Sequence, residues 1–149
     1  MAEMNDSFNE VTAEMLKVIS DYDSVTGFQG AYNIRQDSMC AGRKNSENIT
    51  IESKTDKPGI NIRVKPGTKG ETVYIPACVT HSNVDDLVYN DFFIGEGADV
   101  TIVAGCGGHS DGSATTAYTA FSWRRARRCC IRKSTSAPAR ARGFAGSTR

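Results

Sequence analysis

Five runs of residues typical of β-strands lie between residues 48 and 103, and they restrict this chain to a mostly β fold. The runs cover residues 48–52, 59–65, 71–79, 86–94 and 98–103, and they begin 11 to 15 residues apart. Turn sequences rich in Gly and Pro separate them, such as Lys57-Pro58-Gly59. This regular spacing is typical of a sandwich, a barrel or a stacked β-solenoid, and it argues against alternating βαβ units. Spacing alone leaves the solenoid and the ordinary antiparallel sandwich open as alternatives.

One helix is predicted before these strands. Between residues 6 and 21, apolar residues recur at steps of three and four, which is the stripe of an amphipathic helix: Phe8, Val11, Met15, Val18 and Ile19. Residues 23–45 are rich in Gly, Asn, Asp and Ser, and they predict a loop with at most one short extended piece at 31–34. We therefore divide the 149 residues into an N-terminal helix (1–25), a β core (26–111) and a C-terminal tail (112–149).

The tail differs from the rest of the chain in its charge. Residues 1–112 contain all 17 acidic residues and nine of the 18 Lys and Arg residues. Residues 113–149 contain the other nine basic residues and no acid, so the formal net charge of +1 combines a segment of −8 with a segment of +9. Few ordinary domains change composition so abruptly. We expect this basic tail to be poorly ordered.

Several classes of protein are disfavoured by the remaining composition. No apolar run approaches the ~18 residues of a membrane span, and three acids among the first ten residues do not fit a secretory signal peptide, so we expect a cytoplasmic protein. The five cysteines form an odd set without CxxC spacing, which predicts reduced thiols. The glycine-rich segments 67–70 and 105–108 lack P-loop spacing, and no catalytic triad is recognisable. We expect neither enzymatic activity nor nucleotide binding.

Six segments in the middle of the chain carry a resemblance to a known family. They are residues 30–35, 46–51, 54–60, 64–76, 86–92 and 94–109, and the last of them ends in the string Gly105-Cys106-Gly107-Gly108-His109. No single segment is diagnostic, but their succession in this order is specific. Together they resemble the SufB/SufD family, the scaffold proteins of the SUF system for iron-sulfur cluster assembly, and in particular its shorter SufD-like members.

The resemblance implies a fold, a function and a set of partners. The implied fold is a partial right-handed parallel β-helix, also called a β-solenoid, with an N-terminal α-helix. The implied function is that of a cytoplasmic scaffold that is not itself an enzyme and that holds an iron-sulfur cluster transiently. Its partners would be a SufC-like ATPase and other SufB/SufD-like subunits. Because family members are longer, the resemblance also implies a truncated chain.

The tail lies outside this resemblance, and we infer that it is read in a shifted frame. If the frame changed near residues 111–113, each original codon would combine the third base of one present codon with the first two bases of the next. With suitable synonymous codons, residues 121–139 then decode to family-like sequence that contains Glu-Gly-Ala-Lys-Val. This string repeats the turn and strand start at residues 96–100, Glu-Gly-Ala-Asp-Val. The shifted frame also removes most arginines.

Cys106 and His109 are the candidate ligands for iron or an iron-sulfur cluster. A thiolate and an imidazole three residues apart at the end of a strand can bind iron or zinc, and the adjacent glycines allow a close approach of the backbone. Two ligands do not complete a site, and a small buried thiol beside a corner histidine is the alternative interpretation. We expect Cys78 to be a core thiol, Cys40 to be exposed, and His81 to be an ordinary polar turn residue.

Two other interpretations of function remain open. The arginine-rich tail, taken as written, predicts a basic nucleic-acid-binding protein, since clustered guanidinium groups release counterions from phosphates. We do not expect this function, because the frame argument makes the tail an accident of translation. The third possibility is a structural remnant that binds nothing. A solenoid with an uncovered last coil exposes apolar surface and unpaired backbone groups, so we expect marginal stability unless the tail covers that end.

Overall fold

The computed structural model describes residues 10–20, 22–23, 27–82, 84–108, 114–123, 128–136 and 146–147. Among these residues are one helix, α1 (Glu10–Ile19), and ten strands. The strands are β1 (Ala31–Gln36), β2 (Met39–Lys44), β3 (Ile49–Ser53), β4 (Gly59–Val64), β5 (Lys69–Val79), β6 (Asp85–Ile94), β7 (Asp99–Gly108), β8 (Ala114–Trp123), β9 (Arg128–Ser136) and β10 (Gly146–Ser147). The prediction of a mostly β protein with one N-terminal helix is confirmed.

The strands form two mixed sheets of five strands each. Their orders are β2-β1-β5-β7-β9 and β10-β8-β6-β4-β3. From β4 to β9, consecutive strands alternate between the two sheets, and all neighbours within this set pair in parallel. Paired residues lie 29 or 30 positions apart in the sequence, as Gly59 with Tyr89 and Val100 with Cys129. Two strands therefore form one repeating unit of the chain.

Antiparallel hairpins lie at one edge of each sheet. In the first sheet β2 pairs with β1, and in the second β3 pairs with β4. The β1–β2 hairpin closes through Asp37 and Ser38, whose φ angles are +49° and +69°. Two consecutive positive φ values are those of a type I′ turn, whose twist matches that of the flanking strands.

Two apolar clusters fill the molecule. The larger one lies between the sheets and includes Ile62, Val73, Phe92 and Ile102. On β6 the residues at even positions from Asp86 to Ile94 are buried, as expected for a strand with one face toward the core. The second cluster includes Leu16 of α1, Phe28, Ile34, Tyr74, Cys78 and Val103, and α1 packs against β5 and β7. This helix therefore covers the outer face of the first sheet.

The structure differs from the sequence prediction at two places. The short extended piece predicted at residues 31–34 lies within β1. The remainder of β1 and all of β2 replace the predicted loop, because the Asp37-Ser38 turn directs the chain back into a hairpin that pairs with β5. In the tail, where the sequence analysis predicted poor order, residues 114–123, 128–136 and 146–147 form strands. The backbone groups along β6 and β7 supply their pairing partners. Poor order of the tail as a whole stays a prediction.

The rest of the predicted tail, residues 112–113, 124–127, 137–145 and 148–149, lies outside the described residues, as do the first turns predicted for the helix. The helix within the described residues, α1, is not long and apolar enough to cross a lipid bilayer.

Candidate functional site

Cys106, the first predicted ligand, lies near the end of β7. It pairs with Ala77 of β5 on one side and with Thr135 of β9 on the other, and it is half-buried. Burial raises the pKa of the Cys106 thiol, because the thiolate loses hydration there. The thiol is therefore protonated near neutral pH, and binding a metal ion would have to displace its proton.

His109, the second predicted ligand, lies outside the described residues. Within the described part of the chain, no three His, Cys, Asp or Glu side chains come together in an arrangement that could hold a metal ion. Of the two predicted ligands, only Cys106 therefore lies within the described part of the chain. The described residues do not supply a complete set of metal ligands around it.

A polar cluster that the sequence analysis missed lies at the same end of the first sheet. Because β1, β5 and β7 run in parallel, their carboxyl ends meet at one edge. The Asp37 carboxylate follows β1 and accepts hydrogen bonds from the Thr80 N–H at 2.7 Å and the Thr80 hydroxyl at 2.6 Å. It also lies 3.4 Å from the His81 N–H donor and 3.0 Å from His81 Nδ1. Asp37 therefore fixes the start of the β5–β6 connection.

His81 has a more specific environment than an ordinary turn residue. Its side chain is 74% exposed, while its Nδ1 lies against the carboxylate of Asp37. A carboxylate at Nδ1 orients an imidazole and favours the tautomer whose other nitrogen can accept a proton or a metal ion. The arrangement presents one oriented imidazole to solvent, and among the described residues it is not part of a group of three or more side chains that could hold a metal ion.

The pKa of Asp37 is set by opposing effects. Burial raises it, but the hydrogen bonds from Thr80 and His81 together outweigh burial, so the pKa lies below its ordinary value of 3.8. A carboxyl with a lowered folded pKa stabilises the native state above its unfolded pKa, and this contribution is lost as the pH falls through the folded pKa.

We therefore expect Asp37 to make unfolding dependent on pH below about 4. Urea unfolding of the wild type and of Asp37→Asn should differ by a constant free energy between pH 5 and 7, and the difference should shrink as the pH falls below the ordinary carboxyl range. A difference that stays the same down to pH 2.5 would show that the carboxylate contributes nothing through its charge.

A buried ion pair lies beside this cluster and joins the two sheets. Arg35 of β1 donates from Nε and from a terminal guanidinium nitrogen to the two carboxylate oxygens of Asp86, at 3.2 and 2.6 Å. The Asp86 side chain is fully buried, and Arg35 also donates to the Ser38 carbonyl oxygen at 2.9 Å. Since β1 and β6 belong to different sheets, this pair closes one end of the space between them.

Cys78 and Cys40 lie where the sequence analysis predicted. Cys78 is fully buried in the cluster beneath α1. Burial, followed by the negative charge of Asp37 and by that of Cys106 when it is ionised, raises the pKa of its thiol to about 12. Cys40 is exposed on β2, with its Sγ 3.5 Å from Asn33 Oδ1. The predictions of a core thiol and an exposed thiol are confirmed.

The missed residues left only weak signals in the sequence. Asp86 occupies a position of β6 that shares its parity with Val88, Asn90 and Phe92, so the alternation itself places it inside. Asp37 begins an Asp-Ser pair, which is turn-like but does not indicate which donors its carboxylate meets.

No family model, curated protein or solved structure matches this chain. The family resemblance therefore depends on the six sequence segments alone.

Proposed function

We propose that this chain is a SufB/SufD-type scaffold component for iron-sulfur cluster assembly, with a core that is a partial right-handed parallel β-helix. The observation that carries the proposal is the alternation of β4 to β9 between two sheets, with parallel pairing at a spacing of 29 or 30 residues. A solenoid requires this pattern, because each coil pairs only with the coil before and the coil after it. An antiparallel sandwich would instead pair strands that run in opposite directions.

The corners between the strands support the same interpretation. Gly67 N–H donates to the Glu96 carbonyl at 2.8 Å, and Gly95 N–H donates to the Val64 carbonyl at 2.9 Å. Asp99 N–H donates to the Thr68 carbonyl at 2.7 Å. These bonds stack the corner at residues 65–68 on the corner at 95–98. Both corners lie within segments that resemble the family, so the segments that carry the resemblance also contain part of the structural repeat.

The role that follows from this proposal is to bind and position a cluster, without catalysis by the chain itself. The cluster is cargo, and Cys106 and His109 are its proposed ligands on this chain. Because the described residues offer no complete set of ligands, the remaining ligands would come from another SufB/SufD-like subunit. A SufC-like ATPase would be the second partner.

Two measurements on the full chain test the proposal. We expect copurification with a SufC-like ATPase, and we expect anaerobic incubation with iron and sulfide to give protein-bound cluster with visible absorbance. Cys106→Ser should reduce bound iron to the level of a chain whose cysteines are all blocked, because serine is a poor ligand for iron in clusters. Cys40→Ser, at an exposed thiol outside the proposed site, should retain the iron of the wild type. Equal loading of both variants, without copurification of the ATPase, would overturn the proposal.

The segregation of charge favours one other candidate. With nine Lys and Arg residues and no acid in residues 113–149, the tail could bind nucleic acid through phosphate contacts. Filter binding across a salt series distinguishes the two functions. Affinity that is sequence-selective and survives physiological salt would favour nucleic-acid binding over the scaffold. A chain that binds neither ATPase, cluster nor nucleic acid would be the structural remnant.

A further inference from the structure

The buried thiol of Cys78 has no part in the proposed cluster site, yet it lies in an enclosed position. Leu16 of α1, Phe28, Tyr74 and Val103 surround it in the second apolar cluster. The core between the two sheets forms a separate cluster. The cover over Cys78 therefore belongs to a different apolar cluster from the packing between the sheets.

The tip of the β1–β2 hairpin connects the elements that enclose this thiol. Gln36 is the pairing partner of Cys78 in the sheet, and its Oε1 accepts a hydrogen bond from the buried Thr12 hydroxyl of α1 at 2.8 Å. Asp37 N–H donates to the Cys78 carbonyl at 3.0 Å. Asp37 also binds Thr80 and His81 through its carboxylate, as described above. Two adjacent residues thus connect α1, β5 and the β5–β6 connection.

We propose that Gln36 and Asp37 act as a latch that keeps α1 closed over Cys78 at the end of β5, and that its release exposes this thiol while both sheets stay folded. The latch consists of a few polar contacts at the surface end of the sheet. Such contacts open at lower free energy than the apolar core does. On the other side of the turn, Arg35 donates a hydrogen bond to the Ser38 carbonyl. The other charged or titratable groups beside the latch are His81 and Asp86.

The negative charge of Asp37 contributes to the raised pKa of Cys78. A variant without this charge would therefore change the acidity of the thiol together with its accessibility. Thr80→Val avoids this ambiguity, because it removes the hydroxyl that donates to Asp37 and leaves the carboxylate in place. Asp37→Asn is the stronger variant, and asparagine tolerates the positive φ of this turn.

Maleimide labelling of the full chain at neutral pH, followed by peptide mapping, measures the rate at each cysteine. We expect Thr80→Val to label Cys78 about tenfold faster than the wild type, because a hydrogen bond to a charged group is lost from the closed state only. Asp37→Asn should label it faster still. Asp56→Asn is the matched control, since its carboxylate is 65% exposed and far from the latch in sequence. Cys40 should react at one rate in all variants.

Two results would overturn the latch. In the first, Cys78 stays as protected in Thr80→Val and Asp37→Asn as in the wild type, while both variants keep a cooperative thermal transition. In the second, Cys78 and Cys106 become reactive together and the thermal transition is lost, which would mean that the contacts hold the whole fold and not a local cover. The inference does not depend on cluster binding, so it can fail or hold independently of the proposed function.

Discussion

Asp86→Ala is expected to lower the free energy of unfolding by about 3 to 5 kcal/mol, since it leaves the Arg35 guanidinium largely buried without its carboxylate. The Asp86 side chain is fully buried, and that of Arg35 is only 13% exposed, so water cannot replace the lost partner. Urea or thermal unfolding of the purified chain measures the change.

Two comparisons make this prediction specific. Glu52→Ala removes a carboxylate 3.9 Å from Arg63 on the outer surface, where both side chains are more than half exposed, and it should cost only about 0 to 1 kcal/mol. Replacing both members of the buried pair, Arg35→Met with Asp86→Leu, should cost less than Asp86→Ala alone, because no unpaired charge remains. A cost for Asp86→Ala no larger than that for Glu52→Ala would mean that the two sheets are not joined by this pair.

Gly95→Ala is expected to have the second large effect, about 3 kcal/mol or more. A Cβ atom on Gly95 would overlap the backbone of Lys65 and Pro66 in the corner stacked against it. Backbone atoms cannot move aside as a flexible side chain can, so the two corners would have to separate. The loss of unfolding free energy in Gly95→Ala therefore measures how closely residues 65–68 and 95–98 are packed.

Gly67→Ala is the matched control for this prediction. Gly67 belongs to the neighbouring corner and has a φ of +75°, but a Cβ there would meet nothing within 4 Å. Its substitution should cost only about 1 kcal/mol, for the left-handed backbone conformation. Chemical denaturation of the two variants should separate them clearly. Equal costs would contradict the close stacking of the corners.

The strands of the core could be predicted from the sequence because their alternation is strict. Ile60, Ile62 and Val64 are buried on β4, and the intervening residues are not, so a period of two was readable. β1 gave only the signal of one short extended piece at residues 31–34, and β2 gave none. β2 is an edge strand with exposed residues at Met39 and Cys40, and its pairing depends on the turn and on β1. Local periodicity does not reveal strands of this kind.

The polar cluster could not be predicted, because its contacts join residues distant in sequence. Asp37 meets Thr80 across 43 positions, and Arg35 meets Asp86 across 51. Each residue taken singly looks like a common surface or turn residue. The parallel pairing of β1 with β5 is what brings them to one edge, and this pairing was not readable from the spacing of the runs.

In the C-terminal tail, the register of the strands can be compared with the sequence that the proposed shifted frame encodes. The tail strands β8 and β9 pair in parallel with β6 and β7. Asp99 pairs with Arg128, and Val100 pairs with Cys129. In the proposed shifted frame, the codons of residues 127–129 would encode Lys-Val. This pair would then lie beside Asp99 and Val100 in the sheet. The shifted frame stays a proposal, which sequencing the source gene would test.

The core is built of parallel strands that repeat every 29 or 30 residues. Nuclear Overhauser contacts between backbone protons of the labelled full chain measure this arrangement. We expect contacts between strands that are one repeat apart, such as Ile62 with Phe92 and Val73 with Ile102. We expect none of the ladder contacts that would join β5 to β6. Antiparallel contacts between β5 and β6, the pattern of an ordinary sandwich, would contradict it.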